Sequence, residues 1–235
     1  MKVIVTRPQP DADRFAAQCR AHGLDPVISP LMEVRLYRDV ALPAGAGALA
    51  FTSANGVRAF AALVEDRSLR AFCVGRATRD AAREAGFDQV TTAGGDVAAL
   101  AAGIDEHRSE VSGAVCHIGG RHRAGDLVAA LTDRGINAVT IDAYEAVAAT
   151  ALSDAAIAAL RSQTGAAVAL FSPRTARLFL ELAENAGLAA LLKNHVAACL
   201  SDAVADASRG ARWADVRIAK APDAASLVAA LAKSA

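Results

Sequence analysis

Short apolar runs alternate with longer stretches of helical spacing along almost the whole chain. The apolar runs predict strands at 2–6, 26–29, 48–52, 71–74, 88–91, 114–118, 138–141, 167–171, 196–200 and 215–218. Between them, segments such as DADRFAAQCRAHG and AGDLVAALTDRG place apolar residues three and four apart and close on Gly, as helices often do. Regular strand–helix alternation predicts an α/β fold with parallel sheets flanked by helices on both faces.

The pattern also resembles itself. Setting Ser53 over Ser172 brings Arg58 over Arg177 and Phe60 over Phe179. Further on, CVGRATRDAAR (73–83) aligns with CLSDAVADASR (199–209), and DVAALAA (96–102) aligns with DAASLVA (223–229). The unit that follows in the first copy, CHIGGRHRAGDLVAALTDRGINAVTI (116–141), finds its partner at the chain start. There VTRPQPDADRFAAQCRAHGLDPVI pairs Gly23 with Gly135 and Val27 with Val139. The order is that of a permuted repeat. It predicts two similar domains, one inserted (38–142) and one discontinuous, built from 1–34 and 150–235. The crossings at about 34–38 and 142–150 alternate as extended linkers do.

A length of 235 residues suffices for two small domains, and 54% hydrophobic with 21% charged residues fits a globular chain with sizeable cores. Zero formal charge leaves no overall field toward nucleic acid or a membrane surface, and 4% aromatics argue against a base-stacking surface. The start, MKVIVTRPQP, is too short an apolar run for a signal peptide, and no uncharged run of about 18 residues predicts a membrane span. Cys19, Cys73, Cys116 and Cys199 stand far apart without a C-x-x-C pair, as reduced core thiols of a cytoplasmic protein do. The histidines show no ligand spacing with them, so no metal is expected.

Candidate chemistry lies where the predicted strands end. In an open parallel sheet, ligands bind at the carboxyl ends of strands, against the helices that follow. Those ends read VTRPQ, FTSANG, VGRAT, HIGGRHRAG, FSPRT and LSDAV. Thr6, Ser53, Ser172 and Ser201 are placed as N-caps, and Gly75, Gly119 and Gly120 permit close backbone approach. Unpaired N–H groups and about half a positive charge at each helix start suit a carboxylate or phosphate. Caps serve helix stability whether or not a ligand binds, and single arginines such as Arg7 are commonly solvated. Asn-Gly at 55–56 also suits a hairpin turn, but the spacing of Val57, Phe60, Leu63 and Val64 favours a helix. GRHRAGD has the glycine frame of a phosphate loop with Asp126 where Lys is needed, and no G-x-S-x-G or dinucleotide fingerprint occurs. The two tyrosines, Tyr37 and Tyr144, fall in the two linkers, and for Tyr144 a half-buried ring with its hydroxyl in water is the plainest expectation.

An ordered set of short motifs remains: VTRP at 5–8, FTSANGV at 51–57, Val74-Gly75 with Thr78, DAYEAV at 142–147 and FSP at 171–173. Together they resemble the uroporphyrinogen-III synthase family across nearly the whole chain. The resemblance implies two α/β domains joined by two extended strands, one domain discontinuous. It also implies cofactor-independent closure of hydroxymethylbilane to uroporphyrinogen III with ring D inverted and water lost. Its eight carboxylate arms would meet the polar strand ends, and the substrate-binding set becomes Thr6, Arg7, Thr52, Ser53, Asn55, Gly75, Gly119, Ser172 and Ser201. Tyr144 stands where the family's usual proton donor lies, which implies a catalytic role. The stretch ACLSDAV (198–204) replaces a more common Gly-Pro-Thr-Thr type loop, so Ser201 is left to supply the hydroxyl there, and Arg121 and Arg123 are not carried over. A monomer, with neither nucleic acid nor membrane as partner, is expected. The rival expectation is a two-domain binding protein for a polycarboxylate metabolite.

Overall fold

The structure, a computed structural model, describes residues 1–123 and 125–232. In chain order the elements are β1 (Lys2–Val5), α1 (Asp11–Ala21), β2 (Asp25–Ile28), β3 (Met32–Leu36), β4 (Ala46–Phe51) and α2 (Ala54–Leu63). There follow β5 (Arg70–Cys73), α3 (Arg76–Glu84), β6 (Val90–Thr92), α4 (Val97–Glu106), β7 (Ala114–Gly120), α5 (Leu127–Thr132) and β8 (Ala138–Ala148). The last are α6 (Asp154–Arg161), β9 (Ala166–Leu170), α7 (Pro173–Asn185), β10 (Val196–Cys199), α8 (Asp202–Ser208), β11 (Asp215–Ile218) and α9 (Ala224–Ala232). Each predicted strand falls on an observed one, and the Asn-Gly pair lies inside α2.

The chain divides into two compact units. One joins Met1–Glu33 to Val147–Ala235, and the other is the contiguous segment Val34–Ala146. The discontinuous unit has a sheet of order β11-β10-β9-β1-β2, and the contiguous unit one of order β3-β8-β7-β4-β5-β6. The pairs β1–β2, β1–β9, β9–β10 and β10–β11 are parallel, as are β4–β5, β4–β7, β5–β6 and β7–β8. When β9, β10, β11, β1 and β2 are set against β4, β5, β6, β7 and β8, the two sheets have the same order.

Residue alternation puts a core on each sheet face. In the discontinuous unit Ile4, Val168 and Leu170 point to the face covered by α6, α7 and α8, through Ala156, Phe179 and Val204. Val3, Val5, Ala167 and Ala169 point to the face covered by α1 and α9, through Phe15 and Leu227. In the contiguous unit Leu49, Phe51, Ala71 and Cys73 meet α2 and α3 through Phe60 and Ala82. Ala48, Ala50 and Phe72 meet α4 and α5 through Ile104 and Leu131. Small strand residues let the helices lie close. On the helix side Gly56 of α2 does the same, since a Cβ there would come within 2.7 Å of the Ile118 carbonyl oxygen.

The segments expected as linkers are strands with a partner. β3 and β8 are neighbours at the edge of the six-stranded sheet. Tyr37 N–H donates to the Ala143 carbonyl and Ala149 N–H to that of Leu31, so partners climb one strand while descending the other, the antiparallel sense. Pairing satisfies backbone groups that a bare linker leaves to water.

Candidate active site

The ends of β4, β5 and β7, Tyr144 from the middle of β8, and the loop between β6 and α4 line a cavity of about 380 Å³ within the contiguous unit. Its lining includes Thr52, Ser53, Asp96, Gly120, Arg123 and Tyr144. Thr52 and Ser53 reach it because β4 stops on them. Ser53 adopts extended geometry and its Oγ accepts the Asn55 N–H at 3.1 Å, so the cap leaves the Ser53 hydroxyl proton unspent. Asp96 likewise caps α4 by accepting the Ala99 N–H at 2.7 Å.

Tyr144 arrives by an irregularity in the sheet. β7 and β8 pair in register from Val115–Ala138 to Gly119–Asp142, and then Gly120 faces Tyr144 with Ala143 passed over. Such a bulge re-aims the side chains beyond it. Ala143 and Tyr144 are both buried. Tyr144 is 8% exposed and packs with the α2–α3 core, so the half-buried ring expected of a linker is not what forms. Gly120 makes room for it, because a Cβ there would stand 2.8 Å from ring carbons Cε2 and Cζ.

In contact with Thr52 lies a group that the strand-end pattern does not single out. His117, on β7, is 2% exposed and its Nε2 stands 3.0 Å from Thr52 Oγ1. Burial, with the Arg123 guanidinium adding to it, pushes the imidazole down to about 4, against the opposing pull of Asp126 and Asp142. The ring is therefore neutral near pH 7. Arg123 donates to the Gly120 carbonyl at 2.7 Å and forms an ion pair with Asp142, which holds it at the cavity edge. The histidine lacked any spacing signal. Only the sequence fact that β7 carries one imidazole in an otherwise apolar run pointed to it.

The other expected site residues divide. The space beside Gly119 is filled by Arg123 Cδ, 3.0 Å from where a Cβ would be, and by the His117 ring. Gly75 heads α3 with only Gly95 Cα near, at 4.0 Å. Asn55 turns its side chain to accept from Arg58 at 3.0 Å. In the discontinuous unit Ser172 forms a full capping box with Thr175 at the start of α7. Arg7 lies 4.8 Å over the Phe171 ring and 3.2 Å from the Asp11 carboxylate.

Two expected caps need correction. Thr6 does not cap α1, whose N-cap is Pro10. Its side chain is fully buried and donates to the Ala169 carbonyl at 2.6 Å, because β1 lies inside its sheet with β9 running beside it. Ser201 occupies the N-cap position of α8 but makes no side-chain cap bond.

The sequence profile described as uroporphyrinogen-III synthase HemD matches residues 13–229. This chain belongs to the uroporphyrinogen-III synthase family. The family's members are cyclising lyases of porphyrin biosynthesis that act on a small-molecule tetrapyrrole, so the chain is an enzyme and the binding-protein alternative is set aside. Among solved structures, the uroporphyrinogen-III synthetase of Helicobacter pylori superposes with a TM-score of 0.65 at 17% identity, covering 97% of this chain and 96% of that one. A mutant uroporphyrinogen III synthase from the extremely thermophilic bacterium Thermus thermophilus superposes at 0.53 with 15% identity, covering 98% and 96%. At these identities the likeness is one of fold. No curated protein sequence matches the chain at a significant level. Among the described residues, no helix is long and apolar enough to cross a membrane.

Proposed function

We propose that this uroporphyrinogen-III synthase family member holds the reacting end of hydroxymethylbilane against the cavity of its contiguous unit, with Tyr144 as proton donor. The observation that supports this most is the Tyr144 ring, re-aimed by the β7–β8 bulge into a cavity that also carries Thr52, Ser53 and Arg123. A cavity of about 380 Å³ suits part of a tetrapyrrole rather than all of it.

In this reading Tyr144 O–H gives its proton to the hydroxyl on the ring A carbon, and water departs. The pyrrole electrons spread the resulting positive charge. The substituted carbon of ring D attacks, forms a spiro intermediate, and the ring reopens and recloses inverted. The proton then lost from ring D returns to the Tyr144 oxygen, so charge and atoms balance. Unguided closure gives the symmetric type I isomer. The protein's larger task is thus to hold the bilane bent, which oriented hydroxyls, helix N–H groups and Arg123 favour by gripping carboxylates. Ser172, Ser201 and Arg7 extend the same carboxylate-binding reading to the discontinuous unit.

A monomer in the cytoplasm completes the proposal. The described residues that line the cavity come from one unit of one chain, and four unpaired buried thiols suit a reducing compartment. The test is incubation with hydroxymethylbilane, oxidation, and chromatography of the porphyrin isomers. Type III product is expected; type I alone would sink the proposal.

A further inference from the structure

A threonine hydroxyl beside a neutral imidazole has two arrangements with opposite consequences. If the ring nitrogen is bare, it accepts the hydroxyl proton, and Thr52 is left able only to accept from the cavity. If the nitrogen carries hydrogen, it donates to a lone pair on Oγ1, and the hydroxyl proton points elsewhere. We infer that His117 is a positioning residue: its Nε2–H donates to Thr52 Oγ1 and turns the Thr52 hydroxyl proton toward the cavity, making Thr52 a donor to a carboxylate arm of the tetrapyrrole.

The Nε2···Oγ1 contact admits either direction, and the carboxylate-binding role of the cavity selects the one that leaves Thr52 a donor. The Nε2···Oγ1 separation is 3.0 Å, and the ring is held in β7 at 2% exposure, so it does not swing away. Thr52 is half-buried and lines the cavity, with Ser53 beside it. The Ser53 oxygen already accepts a backbone N–H, which leaves its own proton to give. Two adjacent hydroxyls thus present hydrogens at the start of α2, the arrangement an anionic oxygen requires. The ionisable groups that act on the imidazole are Arg123, Asp126 and Asp142, and the ring is neutral with all three in place. A neutral ring supplies one donor and one acceptor, so the choice of tautomer determines what Thr52 offers.

The inference rests on the functional reading above, and its test separates the two. Nitrogen NMR of the unaltered protein with labelled histidine reads the tautomer without substrate; hydrogen on Nε2 is expected, and hydrogen on Nδ1 would overturn the inference. In kinetics with hydroxymethylbilane, His117→Leu and Thr52→Val should each raise KM about tenfold with kcat little changed, since a lost bond to a charged group binds ground and transition states alike. The double variant should be no worse than either single one. His117→Gln keeps an N–H at similar reach and should return KM to within about threefold of the unaltered protein. Type III product from the unaltered protein is the control. Its absence sinks the functional reading, whereas its presence with an unchanged KM in His117→Leu sinks only this inference. Should His117→Leu fail to fold, Thr52→Val and the tautomer carry the decision.

Discussion

Tyr144 and its opposite neighbour Gly120 pack as a pair, because the ring occupies the space a Cβ would need. Tyr144→Phe keeps the packing and removes the proton. General acid help contributes about 100- to 10,000-fold, and the low end is expected here, because the pyrrole electrons already push the hydroxyl away. Turnover should fall about 100-fold while the melting temperature holds, and type I isomer should rise as unconverted bilane closes by itself. Gly120→Ala should slow turnover by displacing the ring, at a stability cost of about 1–3 kcal/mol. Unchanged rates and isomer ratio in Tyr144→Phe would assign the ring to packing alone. His117 allows a second residue-scale prediction. Its folded value of about 4 lies below the ordinary 6.5, so between these values the unfolded chain binds the proton first. Stability should therefore fall as pH drops from about 7 to about 4 and level off below, by roughly 3 kcal/mol in all. Urea denaturation at about pH 4.5 and about pH 7 should show that loss in the unaltered protein and a smaller one in His117→Gln.

At the scale of elements, β4, β9 and β10 each lead, two residues on, to a serine at a helix N-cap position, and the bonds differ at each. Ser172 and Thr175 cap α7 reciprocally, so Ser172→Ala should cost about 1 kcal/mol in thermal or chemical denaturation. Ser201 makes no such bond, so Ser201→Ala should leave stability within about 0.5 kcal/mol and show any effect on KM. Ser53→Ala should raise KM more than it lowers the melting temperature, since its hydroxyl both caps α2 and borders the cavity. Equal losses of stability at Ser172 and Ser201 would contradict the bonding described. The bulge between β7 and β8 belongs to this scale too. The residues DAYEAV alternate well enough to suggest extension, but nothing in them marks where the partner strand drops a residue.

For the whole molecule, each of the four core clusters among the described residues draws on a single unit. The cysteines divide the same way: Cys19 and Cys199 lie in the discontinuous unit, Cys73 and Cys116 in the contiguous one, all buried. Burial pushes the Cys19 thiol up to about 11 and Cys73 up to about 12, and raises Cys116 and Cys199 as well. A thiol needs exposure and ionisation to react. Ellman's reagent at about pH 8 should thus label the native protein only as fast as it opens. Because each unit has its own cores, labelling should come in two phases of two thiols each as urea is raised. A single phase of four would mean that the units open together.

The α/β class, the positions of the strands and the permuted repeat were legible in the sequence, because each follows from local periodicity or from order along the chain. Alternation such as Ile4 against Val3 and Val5 is written residue by residue, and the copy relation needs only comparison of one stretch with another. The family's motifs, being short and contiguous, were legible for the same reason. The site was legible only as types of residue at strand ends. Whether a hydroxyl there caps a helix, faces a cavity or bonds to the next strand depends on partners far away in sequence. Thr6 shows this: its hydroxyl goes to Ala169, so a residue that reads as a cap is part of the sheet interior. Thr52 and His117 are likewise far apart in the chain and meet only because β4 and β7 run side by side. The direction of Tyr144 was decided by the loss of register opposite Gly120, a property of two paired strands that neither strand carries alone.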